Sequence, residues 1–464
     1  MARAATVTAA LVLLLTWGLT THGKYSVTGD EPHYLMVAES LVSDGDLDVA
    51  NNYAAGAGAR FGAAGLVAGP HVKPTRDGRS YPIHDIGVPI VLTPIYVVAI
   101  RVATLPGDDL LRRMRMNRGL FAYALISLAV MVLSTFAARI AIDGLEGYGA
   151  TAGQACVVVA IAWLSPPVIS NAFLVFPEPF ALFVTACVVA CAYRQSEWGW
   201  RDTLTVVALA LLPWMHRKFG PYAIALAAMI AWHRTDRIHA LPRRQQIVLA
   251  AIVLAPSLVM AVWTLNVWGN LAGPFALNGV PLSLTELTNG IPATFVDREN
   301  GLFWWAPVTM LLPAAFWIDR DRLWPWLFPI VALIIPGAAH QWWAGFSPAG
   351  RFLVPLAPIA CVVACGLVRT PVLKMAAGFL LIPQVVTTAY AWQHARLLWP
   401  QGDGENRVLA ILLPPLGRLY RAIPSFRTAA DEAWPATIAI VLLVATLNLV
   451  MIGGYAQGRN RRST

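Results

Sequence analysis

The chain has 464 residues, of which 57% are hydrophobic and only 13% are charged, and its mean hydropathy is +0.60. Because soluble domains carry roughly 25% charged residues, this composition excludes an ordinary soluble protein and indicates a polytopic membrane protein. The net charge of +9 does not indicate a nucleic-acid partner, since Arg and Lys cluster in short loops between apolar runs. Such loops set membrane topology, so we expect the bilayer as a partner and no nucleic acid.

Apolar runs suited to crossing a bilayer, which takes about 20 residues, recur along the whole chain. The candidates are 6–22, 86–104, 118–140, 150–173, 178–194, 203–214, 220–233, 246–268, 303–318, 323–339, 352–368, 374–391 and 434–455. The first lacks a convincing small-residue cleavage site, so it predicts an uncleaved span rather than a signal peptide. The second is doubtful, because it contains Pro89, Pro94 and Arg101.

The positive-inside rule decides whether 86–104 crosses the membrane. If it crosses, the basic stretches 232–244, 319–322 and 459–464 all fall outside; if it does not, all three fall inside. We therefore predict an all-α protein with about twelve transmembrane helices and both termini in the cytoplasm. Segment 86–104 is then an interfacial element on the outer surface.

This topology makes 23–117 a large first external loop that carries interfacial helices. In this loop a short amphipathic helix is expected from Asp30 to Val42, and the Asp77-Gly78 pair predicts a tight hairpin turn. We expect a catalytic membrane module over 1–400. An external segment, the last span and a cytoplasmic tail follow at 401–464.

The unusual polar residues gather on the external side of this topology. They are Asp30, Glu31, His33, His84, Asp85, Glu178, His216, Arg217, Lys218, His340 and Arg351. Most have a purely structural explanation: the acidic pair as a helix start, the basic trio as interfacial anchoring, and Arg351 as an ordinary span end. Glu178 is harder to explain in this way, because a carboxylate between two prolines at membrane depth is costly unless it is used. The common side and depth favour one shared site.

Such a set of side chains suits transfer from a membrane-embedded phosphate donor. Guanidinium and ammonium groups bind an anionic phosphate leaving group and stabilise its developing charge. A carboxylate within hydrogen-bond reach serves as general base toward an acceptor hydroxyl or amine. Aromatic side chains beside the polar centre stack on a sugar ring or line a lipid groove.

The order and spacing of these motifs resemble the polytopic GT-C-fold glycosyltransferases, which take sugar from a polyprenyl-phosphate donor. That group includes protein O-mannosyltransferases and lipid A aminoarabinose transferases, and the resemblance covers roughly 20–400. The segments that carry it are GDEPHY at 29–34, YPIHDIGVPIVLTP at 81–94, Arg118, SPPVISNAFLVFPEP at 165–179, LPWMHRKF at 212–219 and WWAGFSPAGRFLVPLAP at 342–358.

The resemblance implies a role for each candidate residue. Asp30 is the expected catalytic base, with Glu31 beside it. His84 and Asp85 stand where relatives often have a Lys, so the donor phosphate falls to other side chains. Those expected at the donor phosphate are Arg217, Lys218, Arg351 and His216. Those expected to bind the rest of the substrate are Glu178, His84, Asp85, Tyr34, Trp342 and Trp343.

A metal requirement stays open at this point. Glu178 matches an acidic position that belongs to a metal-binding motif in oligosaccharyltransferase-like members of the group. This chain has a single acid there, whereas a divalent cation such as Ca²⁺ takes several oxygen ligands. If there is a divalent cation, Glu178 and Asp30 are the expected ligands, and the polyprenyl-phosphate sugar is the expected donor substrate.

The expected function is inverting sugar transfer on the extracytoplasmic face of the inner (plasma) membrane, in cell-envelope glycan biosynthesis. The sugar is left open, and so is the acceptor, whether glycan, lipid or protein. The alternative is a transporter or flippase of lipid-linked sugars, which would use the same cations. A transporter predicts repeat symmetry and broken helices at mid-membrane, whereas the polar groups here gather on one face. A third alternative, an assembly partner without activity, predicts that Asp30→Ala leaves function intact.

Overall fold

A computed structural model describes residues 27–274, 283–345, 347–414 and 417–463. Within these ranges almost all regular structure is helical. The predicted first span, 6–22, lies outside the described residues. The α-helices are α1 Glu31–Ser43, α2 Ala50–Ala54, α3 Gly87–Val102, α4 Asp108–Arg113, α5 Arg118–Tyr148, α6 Ala152–Trp163, α7 Val168–Asn171, α8 Pro177–Tyr193, α9 Trp200–Ala210, α10 Leu212–Met215, α11 Phe219–His239, α12 Arg243–Trp268, α13 Leu284–Val296, α14 Leu302–Trp305, α15 Leu312–Ile318, α16 Arg320–Leu323, α17 Leu327–Ala339, α18 Ala357–Arg369, α19 Pro371–Gln393, α20 Arg407–Leu412, α21 Gly417–Arg421 and α22 Ala430–Ser463.

Short 3-10 helices join or extend several of these elements. They are Ala57–Phe61, Gly69–His71, Pro307–Leu311, Trp324–Trp326, Trp342–Ala344, Arg351–Leu356 and Ala395–Leu398. The described strands form one antiparallel hairpin, β1 Val72–Pro74 with β2 Ser80–Pro82. Gly78 has a φ of +85° in its turn, a value that glycine adopts without steric cost. The predicted hairpin turn is confirmed.

Six helical segments of the described chain are long and apolar enough to cross a membrane. They are Arg118–Tyr148, Arg243–Trp268, Arg320–Ala339, Arg351–Arg369, Pro371–Gln393 and Ala430–Ala456. Four shorter apolar helical segments accompany them: Gly87–Val102, Ala152–Trp163, Pro177–Tyr193 and Pro307–Ile318. The described part is an all-α protein whose helices suit a bilayer, as the composition predicts.

Prolines end two of the predicted spans early. In the run predicted at 150–173 the first helix ends at Trp163, because Pro166 and Pro167 follow and cannot continue it, and only the short α7, Val168–Asn171, comes after them. The run predicted at 203–214 is divided into α9 and α10 at Leu211, two residues before Pro213. Both interruptions lie near the external ends that the topology predicts for these runs.

Polar contacts collect at two separate ends of the helix bundle. At one end Tyr123 of α5 hydrogen-bonds Glu31; at the other Tyr148 of the same helix hydrogen-bonds Asp319, which also pairs with Arg369 at 2.7 Å. The two tyrosines are 25 residues apart, which is about 38 Å at 1.5 Å per residue. That separation is close to the full thickness of a bilayer with its headgroups, roughly 40–45 Å.

The predicted helix after Asp30 is present as α1, Glu31–Ser43, but it is not amphipathic. All residues from Glu31 to Ser40 are buried, because α1 packs under α3 and the 3-10 helix Ala57–Phe61. The first external loop therefore folds over its own helix. This covering brings the loop's polar residues against the ends of α5 and α8.

Helices α5 and α8 form the most extensive helix–helix contact in the described structure, and glycines permit their close approach. A Cβ on Gly144 would lie 2.9 Å from Val189 Cγ1 and 3.1 Å from the backbone nitrogen of Ala190. Small residues let helices approach closely in membranes, where packing rather than water exclusion drives association. Gly144 therefore sets the distance between α5 and α8, and the first turn of α8 carries Glu178.

We predict that Gly144→Ala destabilises the protein by about 1–3 kcal/mol, the usual cost of overpacking. Gly378→Ala is the matched control, since Gly378 lies within α19 with nothing within 4 Å of its added Cβ. There the ordinary preference of a helix for Ala over Gly applies, so stability stays equal or rises slightly. Thermal unfolding of both variants in detergent measures this, and equal behaviour of the two would contradict the close approach.

Candidate functional site

Asp30 stands at the N-cap position of α1, but its carboxylate does not cap the helix. Instead Oδ2 lies 3.9 Å from Nη1 of Arg351, and 35% of the Asp30 side chain is exposed. The structural explanation of the acidic pair as a plain helix start thus fails for Asp30. Its carboxylate is held beside a cation and stays within reach of solvent.

Glu31 points the opposite way and is fully buried. Its two carboxylate oxygens accept hydrogen bonds from the backbone N–H groups of Thr28 at 2.9 Å and Val175 at 2.7 Å, and from the Tyr123 hydroxyl at 2.8 Å. Burial raises the pKa of Glu31 to about 7, although these hydrogen bonds oppose the shift. The residue ties α1 to α5 and to the segment before α8.

Glu178 lies in the first turn of α8 and is fully buried. Its Oε1 accepts a hydrogen bond from Nζ of Lys218 at 2.5 Å and lies 3.4 Å from Nε of Arg351. Arg351 also lies over the ring of Phe176, 4.4 Å from its centroid. One carboxylate therefore fixes two cations, one of which also reaches Asp30. The exposed fraction of the Lys218 side chain is only 4%, and burial lowers its pKa despite the attraction of Glu178.

Asp85 and Arg217 form a second pair in the same region. Asp85 accepts hydrogen bonds from the backbone N–H of Arg217 at 2.7 Å and from its Nη2 at 2.8 Å. Nη1 of Arg217 donates to the Ala272 carbonyl at 2.7 Å. His216 accepts a hydrogen bond at Nδ1 from the backbone N–H of Lys218. Burial lowers the pKa of His216 well below its usual value, and Lys218 lowers it further.

Three histidines pack beside Asp30, and the sequence pointed to only two of them. The ring of His71 stacks on that of His33 with centroids 3.6 Å apart, and its Nδ1 lies 3.0 Å from Nε2 of His84. His33 Nδ1 lies 2.6 Å from the Tyr53 hydroxyl. Ligand atoms of Asp30, His71 and His84 all lie within 4.8 Å of one another. His71 could have been found from its place just before the hairpin strand whose partner leads into His84.

The titration of this group follows from burial and from Arg351. Burial lowers the pKa of His33 to about 3 and also lowers the pKa of His71 and of His84. Burial raises the pKa of the Asp30 carboxyl, but the attraction of His84, Arg351, His71 and His33 together lowers it by more, so its net pKa lies below the usual value. Asp30 is therefore ionised at neutral pH.

An apolar groove of about 330 Å³ opens beside Arg217, between α9, α11 and α12. Arg217 is the one charged side chain among its described lining residues. Gly220 and Ile224 line it on α11, and Ala227 lies deeper along the same helix. The groove thus runs from a cation at the Asp30 end of the bundle into its apolar part.

The aromatic candidates fall in different places. Tyr34 is buried and packs on His84, with ring centroids 4.9 Å apart. Trp343 is buried in a separate cluster with Val296 and Phe352, the residue that follows Arg351. The indole Nε1 of Trp343 has no hydrogen-bond partner among the described residues. The side chain of Trp342 lies outside what the structure describes.

The predicted charged residues therefore meet: Asp30, Arg351, Glu178 and Lys218 form one continuous chain of contacts. Arg217 pairs with Asp85, beside His84. A scan against protein-family models and searches of curated proteins and of solved structures give no match for this chain. Functional inference rests on these residues and their geometry.

Glu31 gives a pH-dependent stability that a variant isolates. Because its pKa is about 7 in the folded protein against 4.5 ordinarily, the folded state binds this proton more tightly. Stability from this residue therefore falls as pH rises from about 4.5 to 7, by at most about 3 kcal/mol at 1.36 kcal/mol per unit. We predict that the wild type loses stability relative to Glu31→Gln over this window. Unfolding measured from pH 4.5 to 8 tests it, and a constant difference would contradict the buried, protonating carboxyl.

Proposed function

We propose that the protein is a membrane glycosyltransferase of GT-C type that moves a sugar from a polyprenyl-phosphate donor to an acceptor hydroxyl or amine. The observation that carries this proposal is the part-exposed Asp30 carboxylate 3.9 Å from Arg351. Arg351 is also tied to Glu178, which binds Lys218. A general base and two cations suited to a phosphate thus occupy one place.

In the proposed reaction, Asp30 takes the proton of the acceptor as its oxygen or nitrogen attacks the anomeric carbon. The new bond forms on the face opposite the phosphate, the bond between the anomeric carbon and the phosphate oxygen breaks, and the configuration inverts. Polyprenyl phosphate leaves with the bonding electron pair. Asp30 returns its proton to water afterwards, so that atoms and charge balance over the cycle.

The charge arrangement suits this transfer. As the acceptor proton neutralises Asp30, one unit of negative charge develops on the leaving phosphate. Arg351 pairs with Asp30 before the reaction and lies between Asp30 and Glu178. As Asp30 becomes neutral, the guanidinium is free to stabilise the negative charge that develops on the phosphate. A preorganised cation of this kind stabilises developing charge without reorganisation. Glu178 holds Arg351 and Lys218 in place, which is a different role from binding substrate directly.

The groove beside Arg217 supports a lipid-borne donor. Its lining is apolar along α11 and α12, and Arg217 lies at the end near the charged cluster. An isoprenoid tail would fill the apolar part while the phosphate stays at the cations. Among the described residues, Arg217 has the carboxylate of Asp85 to itself, whereas Arg351 and Lys218 share the single carboxylate of Glu178, so we assign the phosphate chiefly to Arg351 and Lys218. For Glu31 we propose a positioning role, since three buried hydrogen bonds occupy its oxygens.

The proposal includes twelve spans, a GT-C fold and a site on the extracytoplasmic face of the inner membrane. Several arginines lie at the bundle end opposite Asp30, including Arg234, Arg322 and Arg369, which suits a cytoplasmic side. The basic stretch after α3 is the exception, but Arg112 and Arg118 pair with Asp109 and Asp108. Helix α3 would then lie at the interface beside α1.

We predict that Asp30→Asn reduces release of polyprenyl phosphate by about 10²–10⁴-fold, the usual contribution of a general base. The assay presents purified protein with a panel of polyprenyl-phosphate sugars and a mixed membrane-glycan and lipid acceptor fraction. Arg351→Lys should also lose activity, because a lysine cannot span Asp30 and Glu178 with a planar fork.

Asp109→Asn is the matched control, since Asp109 is an exposed acid of the same loop, and it should keep wild-type turnover. Equal turnover by wild type and Asp30→Asn would overturn the base assignment. If no donor in the panel is consumed while labelled donor crosses a reconstituted bilayer, the protein is a transporter of lipid-linked sugars.

A further inference from the structure

The three histidines of the first external loop are arranged in a way that sugar transfer by itself does not require. His71 and His84 flank the hairpin, one just before β1 and the other just after β2. The backbone bond from Ile83 N–H to the His71 carbonyl, 2.9 Å long, closes this end of the hairpin. The pairing of Val72 with Pro82 places the two imidazoles together beside Asp30. The fold therefore builds this group with regular backbone structure.

We propose that Asp30, His71 and His84 bind a divalent first-row transition metal ion of the Zn²⁺ class. Their ligand atoms lie within 4.8 Å of one another, and the two histidine nitrogens are 3.0 Å apart. Two nitrogens each about 2.0–2.1 Å from one ion lie about 2.9–3.4 Å apart at bond angles between 90° and 109°. The observed 3.0 Å falls within that range, and in the absence of an ion the same spacing is that of a hydrogen bond between the two rings.

The donor set selects the class of ion. Two imidazoles and one carboxylate offer borderline nitrogen ligands with a single hard oxygen, which suits Zn²⁺, Fe²⁺ or Mn²⁺ better than Ca²⁺ or Mg²⁺. Glu178 is not part of this group, since its carboxylate faces Lys218 and Arg351. The site thus differs from the Asp30 and Glu178 pairing that the sequence suggested.

Neighbouring side chains hold the ligands in position. His33 stacks on His71 and is itself fixed by the Tyr53 hydroxyl, while Tyr34 packs on His84. Partners of this kind orient metal-binding histidines. The exposed part of Asp30 leaves one side of the group open to solvent, so three protein ligands and an open position are available. That is the arrangement of metal sites that bind a substrate oxygen.

The charge balance around the site is compatible with a bound divalent ion. The role of that ion in sugar transfer rests on the proposed function. Three acids, Asp30, Asp85 and Glu178, face three cations in this region, Arg217, Lys218 and Arg351. A divalent ion makes the group net positive, and the anionic donor restores the balance. An acceptor hydroxyl at the open position would lose its proton more readily, and the carboxylate oxygen of Asp30 that does not bind the ion would accept it.

The test measures metal binding by the full chain in detergent, purified through a tag without histidine and stripped with EDTA. Isothermal titration with Zn²⁺ and, separately, with Mn²⁺ should give one site per chain in the wild type. His71→Phe keeps the aromatic stack and removes the nitrogens. We expect it to weaken binding by more than about 100-fold, since losing even a partner behind a ligand costs 10–100-fold.

Two controls keep the result interpretable. His33→Phe preserves the stack without removing a proposed ligand and should weaken binding far less than His71→Phe, while His239→Ala, on the exposed last turn of α11, should leave binding unchanged. Unfolding temperatures establish that each variant is folded. Binding that is absent in the wild type, or equal in wild type and His71→Phe, would overturn the metal site. Sugar transfer that persists in EDTA would overturn only the ion's role, and metal binding without any transfer would count against the proposed function alone.

Discussion

The arrangement of the site depends on one buried carboxylate, Glu178, shared between Lys218 and Arg351. An unpaired charge in this position would cost several kcal/mol, and removing one partner of a buried ion pair typically costs about 3–5 kcal/mol. Because the three residues come from the start of α8, the turn before α11 and the segment before α18, their contact fixes three distant parts of the chain. The carboxylate of Asp30 then faces Arg351 at 3.9 Å and does not cap its own helix.

Buried charges of this kind rarely serve stability alone, since a well-packed apolar core would do at least as well. Here the ion pairs hold the Arg351 guanidinium between the carboxylates of Asp30 and Glu178. Arg351 is held on one side by Glu178 and faces a part-exposed Asp30 on the other. The fold thereby holds the Asp30 carboxylate beside a cation while about a third of its side chain, 35%, stays exposed. Glu31, next in the chain, provides the opposite environment, dry and fully hydrogen-bonded.

Much of this could be predicted from the sequence, and the reason is topology. Span counting with the positive-inside rule placed Asp30, Glu178, Lys218 and Arg351 on one side, and the structure brings them into contact. Apolar composition predicted the helical membrane class, and Asp77-Gly78 predicted the hairpin. These features depend on local chemistry that single residues reveal.

Other features depend on tertiary contacts and could not be predicted in this way. The adjacent acids Asp30 and Glu31 look equivalent in sequence, yet a helix turn sends one to Arg351 and the other into the core. His71 acquires significance only through the hairpin that sets it against His84. Asp85 is expected at the substrate, and the structure adds a bidentate contact with Arg217 that its place in the sequence does not reveal. In each case a partner far along the chain decides the role.

The most direct measurement of the central claim is a cryo-EM structure with a non-cleavable polyprenyl-phosphonate sugar bound. We expect the phosphonate oxygens within about 3 Å of Arg351 or Lys218, the distance of charge-assisted hydrogen bonds. The tail should lie between α9, α11 and α12, with the anomeric carbon facing Asp30. A phosphonate bound at the Asp319 end of the bundle, or away from both cations, would contradict the account.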